Sequence, residues 1–317
     1  MKRRRIIGIV LLTLMAAMLL QIVVSFVGVG FFYYFFYSRY DVFCPTDLRE
    51  SDIVARHTPV TFTSDGNTLS GLFIGDGEKG VIVMVHGMNS GMDAHFAEAD
   101  YFAAHGYTVF AFDGRGTRTS KGVTRSSLSA MRDDLNAALD YLKTTAYASY
   151  HVYLYGHSSG GYAAAATAER ADATVVIGAF DDPVELMCET ADRYSGFLSR
   201  LQRPFLALWN RLTAGDDANQ RASEALNESE AKILIVSPDR DAVIPPDCML
   251  AASAEEITDP NAFYATYPGG HSDVWLSDDA LAYRAETAAQ TDDVDRLRYN
   301  AVDTDFLDDM LAFFDAA

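Results

Sequence analysis

The chain has 317 residues, 49% of them hydrophobic, and a formal charge of −19, enough for one large domain and an appendage. Lys2, Arg3, Arg4 and Arg5 open it; without them 21 of the 25 Lys+Arg face 44 Asp+Glu, a charge of about −23. So acidic a body excludes nucleic acid as a partner, because phosphate binding needs a basic face, and no repeat or low-complexity tract points to a solenoid or a disordered chain.

From Ile6 to Ser38 no residue is charged. A bilayer core needs about 20 apolar residues, so this stretch is long enough to span it and still carry Phe31-Phe-Tyr-Tyr-Phe-Phe-Tyr37 to the membrane–water interface, where aromatic rings sit well. A cleaved signal peptide is the competing reading. It would have a shorter apolar core and small residues before the cleavage point, where this chain has bulky aromatics. Residues 1–40 are therefore expected to be an uncleaved signal-anchor, a transmembrane helix behind a short stub. The basic tetrad predicts a cytoplasmic N-terminus, which makes the protein single-pass in the cell membrane with everything after Tyr40 extracytoplasmic.

Val60–Thr63 and Leu69–Ile74 alternate around Asp65-Gly-Asn67, a hairpin signal. Val81–Val85 and Tyr107–Phe112 are continuous apolar runs, as expected of strands buried on both faces. Ala94–His105 between them reads as a helix. Leu128–Leu142 is an amphipathic helix, with Leu128, Met131, Leu135, Leu139 and Leu142 at helical spacing. Val152–Tyr155 is a strand, Gly160–Arg170 a small-residue helix, and Thr174–Gly178, Ile233–Val236 and Phe263–Thr266 are further strands. Alternating strand and helix calls for an α/β architecture, a mainly parallel sheet with helices on both faces and the opening hairpin as antiparallel edge strands. One domain over residues 41–317 follows.

The rhythm breaks at residues 181–230. Tyr194, Phe197, Leu198, Leu201, Phe205, Leu208 and Leu212 give helices with an apolar face. Binding crevices form at the carboxyl ends of parallel strands, so this insertion is expected to be a cap or lid. The plainer reading packs it on the main core. The acidic stretch with Asp292, Asp293, Asp295, Asp303, Asp305, Asp308 and Asp309 is read as solvated surface. Cys44, Cys188 and Cys248 fit no metal spacing; in an oxidising compartment Cys188 and Cys248 can pair.

Gly156-His-Ser-Ser-Gly160 fits the nucleophile-elbow pattern G-x-S-x-G, with a strand before it and a helix of small residues after it. Ser158 stands at its centre, at a helix N-terminus where free N–H groups favour a developing oxyanion. The next N–H, that of Ser159, is one oxyanion donor. A serine needs a base to take its proton. Among seven histidines, His271 in Gly269-Gly-His-Ser-Asp273 follows the last strand and reaches the elbow's end of the sheet. The acid belongs on the loop after the preceding strand, where Asp239 and Asp241 both qualify by position. The second oxyanion donor belongs after Val81–Val85, where His86-Gly-Met-Asn-Ser-Gly91 offers the N–H of Met88.

Together these residues resemble the α/β-hydrolase superfamily, from about Val60 to the C-terminus. The matches are His86-Gly87, the Gly156–Gly160 elbow, Asp241-Ala-Val-Ile-Pro245 and His271, in the family's order Ser, Asp, His. The Asp-x-hydrophobic-hydrophobic-Pro match is what favours Asp241 over Asp239. Asp113-Gly-Arg-Gly116 resembles the family's turn after the fourth strand, but Arg118 replaces a small residue, so this loop is expected to contact substrate differently. The pattern is similar to membrane-anchored lysophospholipase or serine-aminopeptidase members. The resemblance implies a serine hydrolase that cleaves carboxylic esters through an acyl-enzyme, with Ser158 as nucleophile, His271 as base, Asp241 as acid and no metal or organic cofactor. The anchor and apolar insertion suggest a lipid-like or acyl ester substrate. An acyltransferase or peptidase would use the same triad, and a tethered binding module that lost catalysis is the rival from another class.

Overall fold

The computed structural model describes residues 2–289 and 294–317, without the side chains of residues 2, 194, 195 and 197–199. Of the acidic stretch read as solvated surface, Asp292 and Asp293 lie outside the described residues, as do the side chains of Tyr194, Phe197 and Leu198 in the insertion.

Helix α1 (Lys2–Phe36) leads by an extended segment into the hairpin β1 (His57–Ser64) and β2 (Asn67–Ile74). Then follow β3 (Val81–Val85), α2 (Phe96–Ala104), β4 (Thr108–Phe112), α3 (Ala130–Leu142), β5 (Val152–His157), α4 (Ser159–Ala165) and β6 (Ala173–Ile177). The insertion supplies α5 (Pro183–Ser195), α6 (Arg203–Ala214) and α7 (Ala222–Asn227) before β7 (Lys232–Pro238), β8 (Ala262–Tyr267), α8 (Asp278–Thr287), α9 (Arg296–Tyr299) and α10 (Thr304–Asp315).

The eight strands form one sheet in the order β1-β2-β4-β3-β5-β6-β7-β8. β1–β2 and β2–β4 pair antiparallel and the rest parallel. Pleating sends successive side chains to opposite faces, so each apolar strand feeds two cores. Ile82 and Met84 of β3 meet α2 and α10 on one face; Val81, Val83 and Val85 meet α3 and α4 on the other. All five residues of β3, β4 and β6 are buried. The continuous apolar runs have this cause.

Three features differ from expectation. The C-terminal acids are not simply solvated surface. Asp303 caps α10 by accepting from the N–H groups of Asp305 and Phe306, and Asp308 and Asp309 accept from the hydroxyls of Tyr101 and Tyr267 at 2.6 and 2.7 Å. They lie on a helix whose other face buries Phe306, Leu307, Met310, Leu311 and Phe314, each worth about 1.5–3 kcal/mol. Cys188 and Cys248 are free thiols buried in the apolar core of the insertion, where cysteine acts as a small hydrophobe. Burial pushes both up to about 11.

The third difference is the partner of the insertion. Its apolar faces pack on the sheet through α7 and on the far end of α1 through α5 and α6. The Trp209 ring meets Phe26 at 4.9 Å and Tyr33 at 6.1 Å, the Tyr33 hydroxyl donates to Met187 Sδ at 3.0 Å, and Tyr37 is buried. Gly30 lets the two approach closely: a Cβ there would lie 3.0 Å from the Trp209 ring, which would have to shift. The first part of α1 is exposed, uncharged from Ile6, and long and apolar enough to cross a membrane.

Candidate active site

Ser158 sits between β5 and α4 with φ 56° and ψ −118°, a conformation that costs a non-glycine residue of order 1–3 kcal/mol and persists only when the surroundings enforce it. The enforcement is close packing. A Cβ on Gly160 would overlap the carbonyl of Val85 and lie 2.6 Å from that of His86, and one on Gly156 would overlap the carbonyl of Gly160. Strand, turn and helix therefore approach as only glycine allows.

Three residues far apart in the chain meet above this turn. His271 Nε2 lies 2.9 Å from Ser158 Oγ, and His271 Nδ1 lies 2.7 Å from Asp241 Oδ2. The Asp241 side chain is wholly buried, and its Oδ1 accepts from the N–H groups of Val243 and Ile244 at 2.8 and 3.0 Å. Burial alone would raise its pKa, but the His271 hydrogen bond and the two N–H donors outweigh burial and hold the carboxyl below its ordinary value. Asp239 stands apart. It accepts from the Gly269 N–H at 2.9 Å and faces Arg240 at 3.6 Å, so it fastens the loop that carries His271.

Met88 and Ser159 line a common recess with Gly87, and among the described residues neither N–H makes a hydrogen bond. A Cβ on Gly87 would lie 3.1 Å from Ser158 Cβ, which shows how closely the loop after β3 abuts the elbow. The cleft over Ser158 and His271 has a volume of about 320 Å³. Its walls come from residues 46–48, 87–90, 93–95, 157–158 and 271–272, with Trp275, Arg284, Tyr299 and Asn300; among the described residues none comes from 181–230.

Sequence reasoning passed over several supports. His157 Nε2 donates to the His271 carbonyl at 2.6 Å, its ring lies 4.8 Å from that of His271, and burial pushes its pKa well below the ordinary value, so it is neutral. His86 Nε2 accepts from the Gly114 N–H at 3.0 Å while its Nδ1 donates to the Gly87 carbonyl at 2.8 Å, tying the Met88 loop to the turn after β4. Gly178, at φ 54°, lies under the His271–Asp241 pair, where a Cβ would sit 3.4 Å from His271 Nδ1. The signals were a histidine inside the elbow, a histidine before Gly87 and a glycine closing β6. Arg118 is buried and pairs with Asp47 at 2.9 Å and Asp93 at 3.0 Å.

The strand order, the helices on both faces and the insertion after β6 define the α/β-hydrolase fold, and the chain has it. Residues 76–183 match the family described as serine aminopeptidase, S33. Among solved structures, an esterase of Pyrococcus furiosus is similar at 16% identity and TM-score 0.59, covering 80% of this chain and 95% of its own. An α/β-hydrolase of a Penicillium species is similar at 20% identity and TM-score 0.52, covering 82% and 98%. No curated protein sequence matched.

Proposed function

We propose that the protein is a serine hydrolase that cleaves carboxylic esters, with Ser158 as nucleophile, His271 as general base and Asp241 as the acid that orients it. The observation that carries this reading is the continuous chain Ser158 Oγ–His271–Asp241, at 2.9 and 2.7 Å. Asp241 accepts from Nδ1–H and so leaves Nε2 free to take the serine proton. Ser158 attacks the carbonyl carbon, and the oxyanion rests on the N–H groups of Met88 and Ser159. His271 returns the proton to the leaving alcohol, and water, deprotonated by the same imidazole, releases the acid. The substrate is a small-molecule or lipid-like ester.

The match of residues 76–183 to a serine aminopeptidase family favours a second reading, amide cleavage by the same residues. Parallel rates on p-nitrophenyl esters and amino-acid p-nitroanilides separate the two. A fluorophosphonate probe tests the shared core: wild type is labelled and Ser158→Ala is not. Equal labelling of both, or of neither, would sink the nucleophile assignment and favour a binding module. We also take residues 1–40 as a transmembrane anchor, N-terminus inside, carrying a domain over 41–317 with its insertion at 181–230. Protease digestion of the domain from the cytoplasmic side of sealed vesicles would contradict that topology.

A further inference from the structure

A second cavity, of about 620 Å³, adjoins the cleft over Ser158 and shares Asp47, Leu48 and Asp93 with it. Its volume is within the range of small-molecule sites, roughly 300–1,000 Å³. Phe43, Pro45, Leu48, Leu72, Met92 and Phe96 make its apolar surface. The roof is the segment 43–50, which follows the long helix by a few residues, and it is held before it begins and at its middle. Arg39 donates to the carbonyls of Arg118, Ser120 and Gly122, and Asn300 Nδ2 donates to the Thr46 carbonyl at 2.8 Å. Arg118 also reaches up to Asp47 and lies 4.2 Å from the Phe43 ring.

We infer that this cavity holds the acyl chain of the ester that Ser158 attacks, and selects uncharged chains of medium length. The inference rests on the reading of Ser158 as nucleophile and adds the substrate class. Two observations carry it beyond the cavity itself. The leaving oxygen must face His271 Nε2 to be protonated, so the acyl part extends away from His271. The second cavity lies that way: Met92 and Asp93 continue the Met88 loop into its wall, whereas His271, Trp275 and Tyr299 line only the cleft. Its charges then exclude a carboxylate tail, since Asp47, Glu50, Asp93 and Asp113 outnumber Arg49 and Arg118 along the lining. The segment 43–50 thus does the covering that the sequence suggested for residues 181–230.

Cys44 offers a test, because it lines the cavity and is exposed while Cys188 and Cys248 are buried. Alkylating the full-length protein with N-cyclohexylmaleimide should lower kcat/KM for p-nitrophenyl octanoate by at least about tenfold, since each methylene seated in an apolar pocket is worth that order. p-Nitrophenyl acetate and octyl acetate should change by less than about twofold on the same scale. Cys44→Ser should be indifferent to the reagent, and Met92→Trp should reproduce the loss. An equal fall for acetate and octanoate, or a selective fall for octyl acetate, would overturn the inference. A readout without turnover separates the two readings: NBD-labelled dodecanoate should bind Ser158→Ala and be displaced by alkylation of Cys44. Binding with no ester turned over by the wild type would remove the nucleophile assignment and leave the pocket; no displacement would remove the pocket.

Discussion

Replacing Asp241 by Asn separates geometry from proton placement at nearly constant volume. The carboxylate accepts on both oxygens: Oδ2 from His271 Nδ1, Oδ1 from the N–H groups of Val243 and Ile244. Asn has one accepting oxygen and one donating NH₂. With its oxygen toward Val243 and Ile244, all three contacts survive, but the NH₂ must donate to His271 Nδ1. The ring proton then moves to Nε2, and the base for Ser158 is gone. The opposite orientation keeps the productive tautomer but sets the NH₂ against the N–H donors of Val243, which is exposed, and Ile244, which is buried and costs about 1–3 kcal/mol when left unpaired. A preference of ~2 kcal/mol or more leaves the productive form at about one part in thirty. The charge that would stabilise the imidazolium is also lost, so kcat/KM for p-nitrophenyl butyrate should fall by ~10³ or more. Unfolding free energy should change by only ~1 kcal/mol, because the hydrogen bonds are kept. Asp239→Asn, which loses at most one loop contact, should stay within about tenfold of wild type. Activity of Asp241→Asn within that same range would refute the tautomer argument and the acid assignment with it.

Gly160→Ala should destabilise the domain by about 3 kcal/mol, the upper end for overpacking, because the atoms in the way are the backbone carbonyls of Val85 and His86; a urea midpoint equal to wild type would show that the elbow has room to spare. Asp93 is pushed up to about 6 by burial, with Asp47 and Asp113 adding and Arg118 opposing. Between about pH 4 and pH 6 the native state therefore holds a proton that the unfolded chain has released, so this group's contribution makes stability fall as pH rises through that window, by about 3 kcal/mol in all. Denaturant curves at pH 4.5 and pH 7 should show a weaker decline for Asp93→Asn than for wild type, and identical declines would contradict the shift. Asp241, whose folded pKa is depressed, acts below this window, since its stabilisation is present above the unfolded value and is lost only as pH falls through the lowered one.

The sheet was legible because its strands are buried on both faces, which writes unbroken apolar runs such as Val81–Val85 into the chain. The elbow was legible for a related reason: its backbone demands glycine at Gly156 and Gly160, and Ser158 is strained between them. Choosing between Asp239 and Asp241 needed a resemblance, because their positions are two residues apart and only the fold shows which one faces His271. Other features depend on contacts between distant segments and leave little local trace. The alternation of acid and apolar residues in α10 has helical period, but only its packing against Phe102 and Tyr107 shows that the helix belongs to the core. His157 gives no local sign of its role, because its bond to the His271 carbonyl crosses from β5 to the loop after β8. Exposed residues such as Cys44 and Pro45 carry no periodic signal at all, although they roof a cavity.

The insertion was expected over the cleft because its helices have apolar faces, and the length of α1 explains why those faces are used elsewhere. A helix of 35 residues is about 52 Å long at 1.5 Å per residue, whereas the hydrocarbon core is about 30 Å. On the proposed anchoring, roughly 20 Å of α1 stands clear of the hydrocarbon and must cover its apolar side chains. Val29, Tyr33 and Tyr37 are covered by the core that α5 and α6 help to build. Packing that fixes α1 on α6 also fixes where the chain leaves the helix, and Arg39 and Arg125 then hold that exit against the loops at residues 116–125. The segment 43–50 begins only a few residues later, so it has little freedom to swing away from the cleft. An insertion packed against α1 cannot also close over Ser158 without releasing that helix, and the segment that lies beside the site is the short one that follows α1.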